Sequence, residues 1–476
     1  MKLKDYLKTI DGVYHTTLDP NGPGMLRIHL IPPKKLKLGI PFVVIINGYH
    51  VLPIQTSWGV LLVEFIKEVN KTNGKSLTEE EIKSLVDNVA GNVFSLFKEA
   101  KKSDIIDDLN DILTTFRAVV NGKKVSEEIG FMTLAKYADH MKAPHRMDLL
   151  ISSMEKDGKF NCNQKCLHCY ACGEQMANVK EIRTEDWKTI IDKLKAAGVP
   201  SLTFTGGEPT MRKDLVELVD YSKWFVTRLN TNGILLTEEL CKELYKASLD
   251  SVQVTLYSYD EEIHNKLVGG NHYKQTIEGI NNAINAGLDV SINTPLCSLN
   301  KDYVKTVEFG KWLGIKYFSC SGLIPSGNAR LNDSCVTRLT EEEILKSVKD
   351  AYNYACGNEL EISFTSPGWI KEKDLKEMNM VVPSCGACLS NMAVAANGTV
   401  LPCQSWLHVD ILGNLLEDSW KSIWNSGTCQ IYRRKSSKKS NVCQLNEVKK
   451  WEKYGWYFCY LYPLFHYLVL SFLAIR

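Results

Sequence analysis

Cys162, Cys166 and Cys169 stand in Phe160-Asn161-Cys162-Asn163-Gln164-Lys165-Cys166-Leu167-His168-Cys169-Tyr170, a C-x3-C-x2-C run. Three thiols so close in sequence cannot all pair as disulfides. Their thiolates can, however, occupy three corners of an iron–sulfur cubane, in which cysteine is the usual ligand. A [4Fe–4S] cluster has four irons, so three protein ligands leave one iron open to chelation by a small molecule. That open iron separates a catalyst from an electron carrier. Cys169 and Cys172 also form C-x2-C. A structural zinc knot of Cys162, Cys166, Cys169 and Cys172 is therefore the competing reading, although zinc sites usually come as two C-x2-C pairs. Outside that knot, Cys172 reads preferably as a bystander, with a substrate-side thiol as the alternative.

The elements that must position these thiols follow them. Residues 184–330 alternate helix and strand: helices over 185–197, 215–224, 238–247, 273–286 and 303–313, strands over 202–205, 226–230, 251–256, 290–294 and 317–322. Strands separated by helices of this length imply right-handed βαβ units and a parallel sheet. The first of these strands runs into Gly206-Gly207-Glu208-Pro209. The two glycines permit close backbone approach, and Glu208 places a carboxylate at the strand end, where such sheets carry their chemistry.

C-x3-C-x2-C followed by Gly-Gly-Glu-Pro resembles the radical S-adenosylmethionine (SAM) superfamily. The resemblance implies an α/β fold, a partial (β/α)6 TIM barrel. It implies a [4Fe–4S] cluster on Cys162, Cys166 and Cys169 whose open iron is chelated by SAM. The segment Gly206, Gly207, Glu208 and Pro209 would bind the methionyl amine, and His168 would lie near the adenine. Thr231-Asn232-Gly233 is common in the superfamily near SAM, although a plain turn after a strand explains Thr231 and Asn232 as well. Thr255 occupies a position where relatives often have Ser followed by Leu-Asp; here Tyr257 replaces the Asp. His264 reads as structural.

After residue 359 the cysteines return. Cys385-Gly386-Ala387-Cys388 precedes a hairpin pattern turning at Asn397-Gly398 and ending at Cys403. With Leu412-Gly413-Asn414-Leu415, Ser419-Trp420 and Arg433-Arg434, this resembles the Cys-rich SPASM/twitch extension of radical SAM enzymes, which carries one or two auxiliary clusters. That implies a further [4Fe–4S] site on Cys385, Cys388, Cys403 and Cys443; a zinc ribbon is the competing reading. The pattern breaks after Lys449-Lys450. Residues 457–475 are nearly all apolar, long enough for a membrane span. They read as a tail anchor or, preferably, as the product of a shifted reading frame, since Lys pairs are encoded by adenine runs. On that second reading the auxiliary cluster is expected to be labile or absent.

The first 145 residues hold a hairpin pattern at Asn47-Gly48 and helical patterns over 57–69, 76–89 (with Thr78 as N-cap) and 104–119. A small α+β unit of this kind resembles PqqD-like precursor-recognition domains, which bind a leader peptide as an added strand; an unrelated winged-helix-like module is the alternative. The expected capture edge is 43–46 or 51–54. The expected division is 1–145 recognition domain, 150–345 core, 355–450 extension and 451–476 tail.

Across 476 residues the net charge is +2, which argues against nucleic acid as partner. The fifteen cysteines behind a start lacking an apolar leader imply a reducing, cytoplasmic setting. The resulting expectation is a radical SAM peptide maturase. Its substrate is a precursor peptide or protein, its electrons come from flavodoxin or ferredoxin, and it meets a membrane only if the tail is a true anchor. Tetrapyrrole or other small-molecule chemistry and a non-catalytic redox sensor are the alternatives.

Overall fold

The computed structural model describes residues 2–10, 12–19, 26–33, 41–47, 50–120, 141–156, 158–332, 338–408, 411–438 and 443–444. The apolar tail, the Gly48 end of the first hairpin turn and residues 445–450 of the extension lie outside the described residues.

The N-terminal unit contains helix α1 (Leu3–Thr9), strands β1 (Tyr14–Leu18), β2 (Leu26–Ile31), β3 (Phe42–Ile46) and β4 (His50–Ile54), and helices α2 (Thr56–Asn70), α3 (Glu79–Leu96) and α4 (Lys102–Val120). Thr78 caps α3 in a reciprocal box with Glu81, as the sequence predicts. The strands form an antiparallel sheet in the order β1-β2-β3-β4, larger than the single hairpin expected. One expectation needs correction. Residues 43–46 are not an edge, because β3 pairs with β2 on one side and β4 on the other. Every residue of β3 is buried because both faces are covered, which gives a continuous apolar run instead of an alternating one. Phe42, Val44 and Ile46 join the core under α2 to α4, whereas Val43 and Ile45 join the main core.

The same strand alternation aims Arg27 and His29 of β2 at the second unit. Arg27 Nη1 donates to Asp250 Oδ2 at 2.5 Å and to the Phe225 carbonyl at 3.2 Å. His29 Nε2 lies 3.1 Å from the Trp224 carbonyl, and its ring packs against His15 and Trp224.

The second unit is a ten-stranded sheet in the order β13-β12-β11-β10-β9-β8-β5-β14-β15-β16. Its strands are β5 (Arg146–Ser152), β8 (Ser201–Gly206), β9 (Val226–Thr231), β10 (Ser251–Thr255), β11 (Asp289–Leu296), β12 (Tyr317–Gly322), β13 (Glu361–Phe364), β14 (Asn391–Val394), β15 (Thr399–Leu401) and β16 (Gly413–Asn414). A small hairpin, β6 (Glu155–Lys156) with β7 (Lys159–Phe160), leads to the thiols. Strands β5 and β8 to β13 pair in parallel, with helices α5 (Thr184–Ala197), α6 (Leu215–Tyr221), α7 (Glu238–Lys246), α8 (Glu261–Val268), α9 (Tyr273–Asn285), α10 (Tyr303–Trp312), α11 (Gly327–Leu331) and α12 (Glu341–Cys356) between them. Helix α13 (Glu372–Glu377) follows β13. This is the expected partial barrel.

β10, β11 and β12 alternate strictly in burial. Val252, Val254, Ile292 and Phe318 pack with the main core, while Gln253, Thr255, Asn293 and Ser319 are left facing the concave side. The α14 (Trp420–Trp424) and α15 (Gly427–Lys438) helices close the C-terminal region, whose β14 pairs in parallel with β5. The extension is thus built into the barrel's own sheet.

Asp250 also accepts from Thr227 N at 2.7 Å, so its carboxylate is held whether or not Arg27 is present. Arg27→Ala then leaves a buried carboxylate without its cation, a change that costs about 3 kcal/mol. Urea denaturation of the variant should show that loss, and an unchanged midpoint would contradict the role given to this interface.

Candidate active site at the strand ends

The thiol loop is held by its backbone. Lys165 N donates to the Val268 carbonyl at 3.0 Å and Leu167 N to the Leu267 carbonyl at 2.9 Å, so α8 fixes the middle of the loop. From the other side, Asn328 of α11 donates through its amide N to the Cys169 carbonyl (2.8 Å) and through Nδ2 to the Cys166 carbonyl (3.0 Å). Asn332 Nδ2 reaches the Leu167 carbonyl at 2.9 Å. Gly327 has φ +53, and a Cβ there would stand 2.5 Å from the Cys169 carbonyl oxygen. Asn161 Nδ2, before the first thiol, donates to the Ser153 carbonyl and to Glu181 Oε1, both at 3.1 Å. With the loop so tied, all three thiols are half-buried and unpaired.

Burial pushes the Cys162 thiol up to about 12 and the Cys166 and Cys169 thiols upward as well; the neighbouring thiols add to the effect at Cys162 and Cys166. Such thiols ionise only when a cation takes the charge, which is what cluster irons supply. Among the described residues no three His, Cys, Asp or Glu side chains are gathered around a single-ion site. Cys172, which is described, therefore does not complete a zinc knot with the other three. A cubane takes each thiolate at a separate iron, and three unpaired, immobilised thiols fit that donor set.

Glu208 organises the neighbouring strand ends. Its side chain is buried and takes hydrogen bonds from four donors. Oε1 accepts from Thr210 N (3.0 Å), Thr210 Oγ1 (2.5 Å) and Thr231 Oγ1 (2.7 Å), and Oε2 accepts from Asn232 N (2.8 Å). Burial raises its pKa and these bonds oppose the rise. The carboxylate thus locks the end of β8 to the end of β9. Asn232 Nδ2 extends the link to Asn163 Oδ1 in the thiol loop at 2.6 Å. Gly206 and Gly207 lie against β5: Gly207 N donates to the Ser152 carbonyl at 2.8 Å, and Cys162 Sγ donates to the Gly207 carbonyl at 3.6 Å. Pro209 begins a short 3-10 turn. Gly206 and Gly207 line a cleft with Ser152, Met154, Tyr170 and Ala396, where a ligand would meet the thiol loop.

His168 is buried with neither ring nitrogen partnered, and burial lowers its pKa to about 4. Its ring meets Tyr257 edge-on at 4.5 Å. Tyr257, the residue in place of the family's Asp, is hydrogen-bonded to the Cys166 thiol. Sequence reasoning missed that contact, as it missed Asn328, Asn332 and Asn163; no motif marks residues brought together by barrel closure. Thr255 is half-buried at the end of β10, two residues before Tyr257. His264 is buried, with Nδ1 accepting from Tyr257 N at 3.4 Å, a packing role.

In the extension, Cys388 N donates to the Pro402 carbonyl at 3.1 Å, so Cys388 does face the Cys403 end of the hairpin. The Cys385 thiol is hydrogen-bonded to that of Cys443 and is lowered to about 6 by it. Cys403 is pushed up to about 12 by burial. A further thiol, Cys429 of α15, lies against Cys388; no spacing motif pointed to it.

Residues 160–310 match the radical SAM superfamily, and residues 385–445 match the SPASM iron–sulfur cluster-binding domain. An AdoMet-dependent heme synthase of Methanosarcina barkeri is 27% identical over 307 residues, 61% of this chain and 86% of that protein. A probable GTP 3',8-cyclase of Saccharolobus islandicus is 35% identical over 175 residues, 36% of this chain and 56% of that protein. The structure of Streptococcus suis SuiB bound to precursor peptide SuiA aligns with TM-score 0.59 and 16% identity, covering 86% of this chain and 94% of that one. The chain carries a radical SAM core and a SPASM domain, with the [4Fe–4S] clusters, an auxiliary one included, and the SAM binding that these domains imply.

Gly206 has φ +139, and a Cβ would fall 2.2 Å from the Ser152 carbonyl oxygen. Gly206→Ala should destabilise the metal-free protein by more than about 1 kcal/mol in chemical denaturation, whereas Gly91→Ala, whose added Cβ meets nothing within 4 Å, should not. Equal midpoints for the two variants would contradict the close approach of β8 to β5.

Proposed function

We propose that the protein is a radical SAM peptide maturase whose first cluster sits on Cys162, Cys166 and Cys169. The observation that carries the site is the fixed thiol loop set against the glycine-lined cleft, joined to it through Asn163, Asn232 and Glu208. A reduced cluster held there would supply the electron for cleavage of SAM to methionine and a 5′-deoxyadenosyl radical, which would take hydrogen from a substrate carbon. The chain's own residues bind and orient. The Gly206–Pro209 segment offers backbone groups to the methionyl amine, and Glu208 acts as the brace that keeps that segment in place. His168 and Tyr257 wall the side of the loop next to Cys166. The polar concave face, with Gln253, Thr255, Asn293 and Ser319, receives substrate. Cys385, Cys388 and Cys403 serve the auxiliary cluster, and flavodoxin or ferredoxin is the electron donor we expect.

The peptide reading rests on the N-terminal unit. The alignment with SuiB covers 86% of this chain, more than residues 146–476 alone can supply, so part of the N-terminal unit shares that fold. β4 is the last strand of its sheet and offers backbone groups to an incoming strand. The similarity to a heme synthase over most of that enzyme's length favours a second reading, a tetrapyrrole substrate in the same barrel. Residues 1–145 separate the two, because a small molecule does not need a strand edge.

Two outcomes follow. Replacing Cys162, Cys166 and Cys169 by Ala should remove about four irons per chain and abolish 5′-deoxyadenosine formation; retained formation would remove the radical SAM assignment. Residues 1–145 expressed alone should bind a peptide encoded beside this gene, and residue changes on the free edge of β4 should weaken that binding at least about tenfold. Full-rate peptide modification by an enzyme lacking residues 1–145 would move the assignment to the small molecule.

A further inference from the structure

The extension places Cys385, Cys388 and Cys403 on one stretch and offers Cys443, further along the chain, for the fourth corner of a cubane; a second thiol competes for that corner. Cys429, the third residue of α15, is fully buried, and its thiol is hydrogen-bonded to that of Cys388. Cys388 has φ 55, a conformation that non-glycine residues adopt at a cost and that a local constraint must hold. Arg433, one helical turn beyond Cys429, donates through Nη2 to the Cys429 sulfur at 3.2 Å. Its other hydrogen bonds run to the Trp424 carbonyl (2.6 Å, Nη2) and the Cys388 carbonyl (3.1 Å, Nε). The guanidinium lies 3.5 Å over the Trp424 ring, so it is locked in place. Neutral carbonyls and one sulfur hold this half-buried cation, an arrangement suited to a neighbouring anion. A cluster bound by four thiolates carries net negative charge, and hydrogen bonds and charges beside its sulfurs set its potential.

We propose that Cys429 is the fourth thiolate of the auxiliary cluster, beside Cys385, Cys388 and Cys403, and that Arg433 is a positioning residue that holds the Cys429 sulfur and offsets the cluster's charge. This rests on the reading that the C-terminal domain binds an auxiliary cluster. The ligand set then lies wholly within residues 385–429. Cys443, the residue the sequence pattern suggests, becomes a fifth thiol packed on Cys385, beside Gln444, whose Nε2 donates to the Cys385 sulfur at 3.8 Å.

The test uses full-length protein in which Cys162, Cys166 and Cys169 are Ala, so that iron reports the auxiliary site alone. After anaerobic reconstitution this background should hold about four irons per chain. Adding Cys429→Ala should remove most of the iron and the cluster's EPR signal. Adding Cys443→Ala, or Cys241→Ala as a control for loss of a buried thiol elsewhere, should leave both. If Cys429→Ala does not fold, Cys429→Ser, of similar volume, carries the same test. Arg433→Met should keep the iron and lower the cluster's midpoint potential, since a positive charge favours the reduced form; an unchanged potential would remove Arg433 from the proposal. Iron retained without Cys429, or lost without Cys443, overturns the ligand assignment. A background protein with no iron overturns the auxiliary-cluster reading itself, and the ligand assignment with it.

Discussion

A carboxylate buried without a cation must find its hydrogen bonds inside the fold, and Glu208 finds four. The catalytic face depends on that constraint. The donors come from the turn after β8 and from the end of β9, so the two strand ends cannot move apart without stranding a charge. The next bond in the chain, Asn232 to Asn163, passes the same restraint to the thiol loop. Three segments distant in sequence are thereby fixed to one another before any ligand arrives. That is the preorganisation a reactive radical requires, because the enzyme's contribution is position and the exclusion of water.

The loop that carries the thiols shows the same economy. It has little regular structure of its own, and its carbonyls and amides are satisfied by α8, which follows β10, and by α11 and Asn332, which follow β12. The loop's conformation therefore depends on both of these later segments being in place. The N-terminal unit is joined to this body by apolar residues of β3 and by the buried Arg27 contact with Asp250, so a peptide held on its outer edge would sit on a rigid support.

The barrel was legible in the sequence because its helices and strands keep their periods and its glycines and caps mark the ends; the helix expected over 215–224 ends earlier, at Tyr221, where the Ser222 hydroxyl donates to the Leu218 carbonyl. The thiol triad and Gly206–Pro209 stand out in the sequence because the chemistry demands a local spacing, and the fold brings the two segments together at Cys162 and Gly207. β1 was not, since Tyr14–Leu18 carries His and Thr and offers little apolar alternation; β2 does alternate over Leu26–Leu30, a strand signal the sequence reading passed over. Of the two edges the sequence offers, 43–46 is interior and 51–54 lies on the terminal strand; the uniform apolar run of β3 does not say which of its faces and sides are covered. Tyr257 was noticed as a departure from the family, yet its contact with Cys166 depends on the barrel's curvature. Cys429 and Arg433 follow a helical period that looks like ordinary packing until the hairpin bearing Cys388 is folded onto it.

The proposed chemistry requires that SAM meet a cluster held by Cys162, Cys166 and Cys169. The most direct measurement is the EPR spectrum of the anaerobically reduced protein, recorded with and without SAM. The expected result is a reduced [4Fe–4S] signal whose g-values shift when SAM is added, followed by the appearance of 5′-deoxyadenosine and methionine in equal amounts. A reduced-cluster spectrum that SAM leaves unchanged, with no 5′-deoxyadenosine formed, would contradict it.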